Sequence, residues 1–271
     1  MTQPRDWDDA YANMKHTPGA EALPAQWAAD AMAYRKTIDV KEIAYGGGAR
    51  QKLDLILPDE TPRGLAVFVH GGYWMKFAKS DWTHFAAGAV ARGWAVCLPQ
   101  YTLAPDARIT EMTREIGAAI TCAAGEVAGP LRLAGHSAGG HLVSRMVCAD
   151  TPLASDVVSR VSGAMSISGL HDLRALLKLA LNETLHVDMA EAIAESAALQ
   201  VPLAGTQMTA WVGGGERPEF IRQSQLLEVM WRGFDVDIAC VVEGSLNHFN
   251  VIDALRDPQS PLTRRWLGDD T

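Results

Sequence analysis

Short, largely apolar runs recur along this chain, and helix-length stretches separate them. The runs are QKLDLILP (51–58), GLAVFVH (64–70), GWAVCLPQ (93–100), LRLAGH (131–136), VSGAMSISG (161–169), QMTAWVGG (207–214) and VDIACVVEG (236–244). Several are continuously apolar rather than alternating, as strands covered on both faces must be. Between them lie SDWTHFAAGAVARG, ARITEMTREIGAAITCAAGEV, GGHLVSRMVCAD, PEFIRQSQLLEVMWRG and a tail from Phe249, all with helical character. Ser80 or Asp81 is the expected N-cap of the first of these. The alternation predicts an α/β protein with a mostly parallel central sheet flanked by helices.

Two stretches break the alternation. Residues 1–37 read as short helices interrupted at Pro18 and Gly19. Residues 173–200 are helical and rich in Leu and Ala, and they lie between two strands. Insertions of this length commonly carry lids or pocket walls, so both are expected to shape a pocket, with 173–200 as a small helical cap. With no linker or repeat in sight, 271 residues are expected to form one domain.

The balance of charge narrows the partners. Thirty-two acidic against 24 basic side chains leave a net charge of −8, which argues against a nucleic-acid surface. No apolar run is long enough to span a bilayer, and the polar N-terminus MTQPRDWDDAY does not read as a signal peptide. Cys97, Cys122, Cys148 and Cys240 are far apart and form no metal-binding pattern, so they read as reduced core thiols of a cytoplasmic protein. A homo-oligomer stays open.

The chemistry begins at Gly135-His136-Ser137-Ala138-Gly139, a G-x-S-x-G pattern between a strand and a helix. A turn this sharp forces the serine into a strained backbone conformation and lifts its hydroxyl above the sheet. Ser137 is therefore the expected nucleophile. A serine hydroxyl needs a base and the base an orienting acid, which follow in the order Ser, acid, His on such a scaffold. His248, just after the last strand, is the expected base, and Glu216, after QMTAWVGGG, the expected acid. Glu219 and Asp172 are rival carboxylates. His141 lies one turn along the helix that Ser137 opens, placed to pack, to hydrogen-bond or to line the pocket. His171 is a further pocket candidate, and His186 falls in the cap.

Stabilising the charge of a tetrahedral intermediate takes backbone N–H donors. One belongs to Ala138, after the nucleophile, and another to a loop after an early strand. The segment VFVHGGYW (67–74) fits that loop. Gly71 and Gly72 allow the main chain to approach the substrate. Tyr73 and Trp74 are expected to wall the pocket, with Phe249 beyond them, and His70 to brace the loop.

HGGYW, then GHSAGGHL, then an acid before PEFIRQS, then NHFNV, together resemble the α/β-hydrolase fold. Within it they resemble the arylformamidase (kynurenine formamidase) branch, related to the hormone-sensitive-lipase-type esterases. The N-terminal DWDDAYANMKHTPGAEALPAQW and the QYTLAP segment extend the likeness over nearly the whole chain, with Thr102 where arginine is frequent. The resemblance implies a serine hydrolase acting on an aryl formamide such as N-formylkynurenine or on another small ester or amide. It implies Ser137, Glu216 and His248 as triad, and Gly72, Tyr73 and Ala138 around the oxyanion hole. Glu216 departs from the aspartate frequent in that branch. The reading needs no cofactor and no metal. Two rivals are a non-catalytic ligand-binding relative, which would usually have lost a triad position, and a metal-dependent hydrolase, for which His136 and His141 make a poor ligand pair.

Overall fold

The computed structural model describes residues 6–269. Eight strands form one sheet in the order β1-β2-β4-β3-β5-β6-β7-β8. They are β1 (Lys41–Ala44), β2 (Lys52–Ile56), β3 (Leu65–Val69), β4 (Ala95–Pro99), β5 (Leu131–His136), β6 (Val161–Ile167), β7 (Gln207–Gly213) and β8 (Asp237–Glu243). β1 pairs antiparallel with β2, and β2 with β4. Every pairing from β4 to β8 is parallel. The sheet is thus the mostly parallel one that the apolar runs predict. β1 is an addition: the four residues KEIA are short, polar and mostly exposed at the sheet edge, and so carry no burial signal.

Side-chain alternation divides the core in two. Leu65, Val67 and Val69 of β3 face one apolar cluster, while Ala66 and Phe68 face the other. All five are buried, which explains a continuous apolar run where a one-sided strand would alternate. The expected helices form with shifted ends. Asp81 does not cap the first one from its start; its carboxylate accepts from the Ala78 N–H instead (2.9 Å). The helix begins earlier, as a 3-10 turn from Lys79 to Ala86. The expected break near Pro18 falls where Gly19 adopts a positive φ of 76°. Among the described residues, no helix is long and apolar enough to cross a membrane.

The strand order sets where a ligand can bind. From β3 the chain crosses to β4 on one side and then to β5 on the other, so the loops after β3 and β5 diverge at the carboxyl edge of the sheet. Such a reversal leaves a crevice above the strand ends.

Among the buried histidines are His70, His136, His141 and His171, each at most 2% exposed. Burial pulls His70 and His141 down to about 4 and His171 to about 3, and holds His136 well below the usual imidazole range. They stay neutral when folded but protonate in the unfolded chain near pH 6.5. Stability is therefore complete above that pH and is lost as pH falls below it, because the unfolded state then binds more protons. Each such histidine adds to the loss in that window, because each takes up a proton only on unfolding. A melting temperature that falls steeply below about pH 6 is the expected result; a flat profile down to about pH 4.5 contradicts it.

Candidate active site

Ser137 sits where β5 ends. Its N–H still donates to Ile167 O on β6 (2.8 Å), and the chain then reverses into the helix Ala138–Arg145. The reversal holds Ser137 at φ 55°, ψ −117°, a conformation of order 1–3 kcal/mol above the ordinary wells for a non-glycine residue. Packing on both sides enforces it. A side chain at Gly135 would place its Cβ 2.2 Å from Gly139 O, so only glycine lets the helix start this close to the strand.

The loop after β3 lies directly on this turn. A Cβ on Gly71 would come within 2.9 Å of His136 O and 3.1 Å of Ser137 Cβ. Gly72, Tyr73 and Trp74 follow with φ of 111°, 58° for Trp74 and 51° for Tyr73, a left-handed run that turns the main chain over the elbow. His70 braces the loop from below. Its Nδ1 lies 2.8 Å from Gly71 O, and its ring stacks on Tyr101 at 4.6 Å. As the first residue of its helix, Ala138 has an N–H with no intrahelical acceptor.

His248 and Glu216 meet beside Ser137. His248 Nδ1 lies 2.7 Å from Glu216 Oε2, with both residues buried. The carboxylate is held at its other oxygen, where Oε1 accepts from Gly213 N–H (2.8 Å) and from the Ser168 hydroxyl (2.5 Å). His136 adds a support to the histidine loop. It is neutral, and its Nε2 lies 2.8 Å from His248 O, so Nε2–H is the donor. The rival carboxylates are engaged elsewhere: Glu219 accepts from Tyr11 Oη and pairs with Arg222, and Asp172 pairs with Arg174.

Ser137 and His248 share a cavity of about 640 Å³, within the range typical of small-molecule sites. Its walls are apolar and largely aromatic: Tyr11, Trp27, Tyr73, Phe77, Trp82 and Phe249. Tyr73 is fixed there by a hydrogen bond from its hydroxyl to Tyr11 O (2.5 Å). A larger polar groove runs along residues 36–39, 57–63 and 90–93, which precede β3 and β4 and so lie at the opposite edge of the sheet.

Four sequence expectations are corrected here. Trp74 does not line the cavity. It is fully buried in the core with its ring edge-on to His141 at 5.3 Å. His141 does not line it either: it is fully buried, and Nε2 bonds Glu195 O (2.8 Å). The segment 173–200 supplies no wall. Its Leu173, Leu176 and Leu185 turn into the core, and the wall comes instead from the N-terminal segment between Tyr11 and Trp27. His171 also stays beneath the site, near Ser144 and Ser166. Ser168 was not anticipated, although a serine at the end of an apolar strand beside the acid's strand is the signal that marks it. Trp27, Phe77 and Trp82 come from separate segments and share no local pattern.

A family model for the alpha/beta hydrolase fold matches residues 66–212, more than half of the chain, so this protein belongs to the alpha/beta hydrolase family. It is a hydrolase, in keeping with its relatives and structural neighbours. The chain is 28% identical to the kynurenine formamidase of Danio rerio over 242 residues, covering 85% of this chain and 82% of the relative. It is 29% identical to that of Salmo salar over 238 residues, covering 83% and 80%. It also superposes with a TM-score of 0.90 on the crystal structure of a candidate thioesterase from Silicibacter sp. TM1040, at 46% identity over 96% of this chain and 98% of that one. Esterase 2 of Thermogutta terrifontis shares the fold at a TM-score of 0.67 and 17% identity, over 85% and 92%.

Proposed function

We propose that this hydrolase cleaves a small acyl group from an aryl formamide such as N-formylkynurenine, through an acyl-enzyme on Ser137. The observation that carries the reading is the Glu216–His248 hydrogen bond beside Ser137 at an aromatic-walled cavity. His248 takes the Ser137 proton at Nε2 while Oγ bonds to the formyl carbon. The N–H groups of Ala138, Gly72 and Tyr73 hold the resulting oxyanion, each such donor being worth about 3 kcal/mol. His248 returns the proton to the departing aryl amine, which leaves with the C–N electron pair. Water then adds to the formyl ester, again with His248 as base, releasing formate and restoring Ser137. The formyl group is the smallest acyl group, so the aromatic walls are free to receive the aryl part. The kynurenine formamidase relatives support this substrate class.

A second reading is hydrolysis of a different small ester or thioester. The candidate thioesterase at 46% identity favours it. Comparing kcat/KM for N-formylkynurenine with that for p-nitrophenyl acetate and butyrate separates the two. The first reading expects the formamide to exceed both esters. Turnover of the esters alone transfers the assignment to the second.

A further inference from the structure

Ser137 and His248 are only 3% and 4% exposed, and the N-terminal segment forms one wall of the cavity that holds them. That wall is unevenly held. At one end Tyr11 is a fixed post. It is buried, its Oη donates to Glu219 Oε1 (2.9 Å) and accepts from Gln223 Nε2 (3.0 Å), and its carbonyl accepts from Tyr73 Oη (2.5 Å). At the other end Ala20 is buried, and the helix Leu23–Arg35 behind it buries Trp27 and Ala31 and ends on an Arg35–Asp54 ion pair (2.5 Å).

The span Asn13–Gly19 between these posts is different. Among the described residues, its hydrogen bonds run to partners between Asp9 and Ala22, and none reaches the rest of the protein. Each of its residues lines at least one of three cavities: that of Ser137, a recess of about 250 Å³ beside Glu216, and a third of about 130 Å³ beside Asp253. A segment bordered by empty space forfeits dispersion contacts and opens at low cost. Asn13 Nδ2 is buried here without a hydrogen-bond partner, a cost that outward movement into water relieves. Gly19, at φ 76° with nothing near its Cβ position, leaves the chain free to pivot.

Asp9 ties the span down. Its Oδ1 accepts from Lys15 Nζ (3.0 Å) and lies 2.8 Å from His16 Nε2, while its Oδ2 accepts from Arg217 Nη2 (2.6 Å), one residue past Glu216. Lys15 and His16 are exposed, so these are weak ties that thermal motion can break.

We infer that Asn13–Gly19 is a flap that swings between its two posts to open the cavity over Ser137, with Gly19 as one hinge and Asp9 as the latch that holds Lys15 and His16 in the closed position. The inference rests on the serine-hydrolase reading and adds an entry step to it.

The test tethers the flap. Thr17 on the flap and Asp253 on the body both line the third cavity, away from Ser137. The double variant Thr17→Cys, Asp253→Cys is bridged with a short bis-methanethiosulfonate, and the bridge is verified by mass spectrometry. Bridging is expected to lower kcat/KM for p-nitrophenyl butyrate at least about tenfold, with recovery on reduction. A monofunctional methanethiosulfonate fills the same space without bridging and is expected to leave turnover unchanged, and wild type treated alike controls for the native thiols. Lys15→Gln with His16→Gln removes the latch and keeps the Asp9–Arg217 pair. In that variant, hydrogen exchange of the peptide covering 13–19 is expected to rise about two- to fivefold, the worth of two exposed ion pairs, with the helix Leu23–Arg35 unchanged. Full turnover in the bridged enzyme, an equal loss with the monofunctional reagent, or equal exchange in wild type and the latch variant overturns the flap. If no ester is turned over even before bridging, the serine-hydrolase reading fails while the exchange rates still decide the flap.

Discussion

Replacing Ser137 by alanine is expected to lower kcat about a million-fold, the usual consequence of removing the nucleophile from a serine triad. Ser137 is 3% exposed and held at φ 55° by the packing of the strand β5 and the helix behind it. Alanine has the same backbone preferences and fits the same space, so the elbow should keep its shape. The N–H donors and the cavity also survive, so substrate binding changes little and the loss falls on kcat. Residual turnover within about tenfold of wild type, measured on p-nitrophenyl acetate, would place the chemistry elsewhere, because binding and oxyanion stabilisation alone cannot supply it.

Glu216→Gln is expected to cost about ten-thousand-fold in kcat with the fold intact. The reason lies in how the carboxylate is held. Gly213 N–H and the Ser168 hydroxyl both donate to Oε1, so a glutamine is oriented with its carbonyl oxygen there. Its NH2 group then faces His248 Nδ1, which lies 2.7 Å from Oε2 in the present protein. Nδ1 must become the acceptor, which puts the imidazole proton on Nε2. In that tautomer His248 cannot take the proton of Ser137. Stopped assays on the same ester, beside a circular dichroism spectrum that matches wild type, measure this directly. A loss of less than about tenfold would mean that Glu216 does not set the tautomer. Ser168 acts in this account as a positioning residue.

Much of this site is legible in the sequence, because its parts sit at strand ends. Ser137, Glu216 and His248 each follow a strand in a run of small or polar residues, and the parallel order brings those ends to one edge. The neighbours of these residues are harder to read. Tyr73 and Trp74 are adjacent aromatics after two glycines, yet one reaches the cavity and the other the core. Both have positive φ, so neither strand alternation nor helical periodicity applies to them. His141 looks like a pocket residue by its distance from Ser137 along the chain. Its helix turns that face inward, where Glu195 O fills the role of partner. The aromatic wall is assembled from the N-terminal segment and two loops, and only tertiary packing brings Trp27, Phe77 and Trp82 together.

The central claim is that Ser137 is an activated nucleophile. Treatment with a fluorophosphonate probe, followed by mass spectrometry of the peptide carrying GHSAGGHL, tests it most directly. The expected result is a single stoichiometric adduct on Ser137, formed in step with the loss of ester turnover and strongly slowed in Glu216→Gln. An enzyme that keeps its turnover with Ser137 unlabelled, or that is inactivated by labelling at another residue, would contradict it.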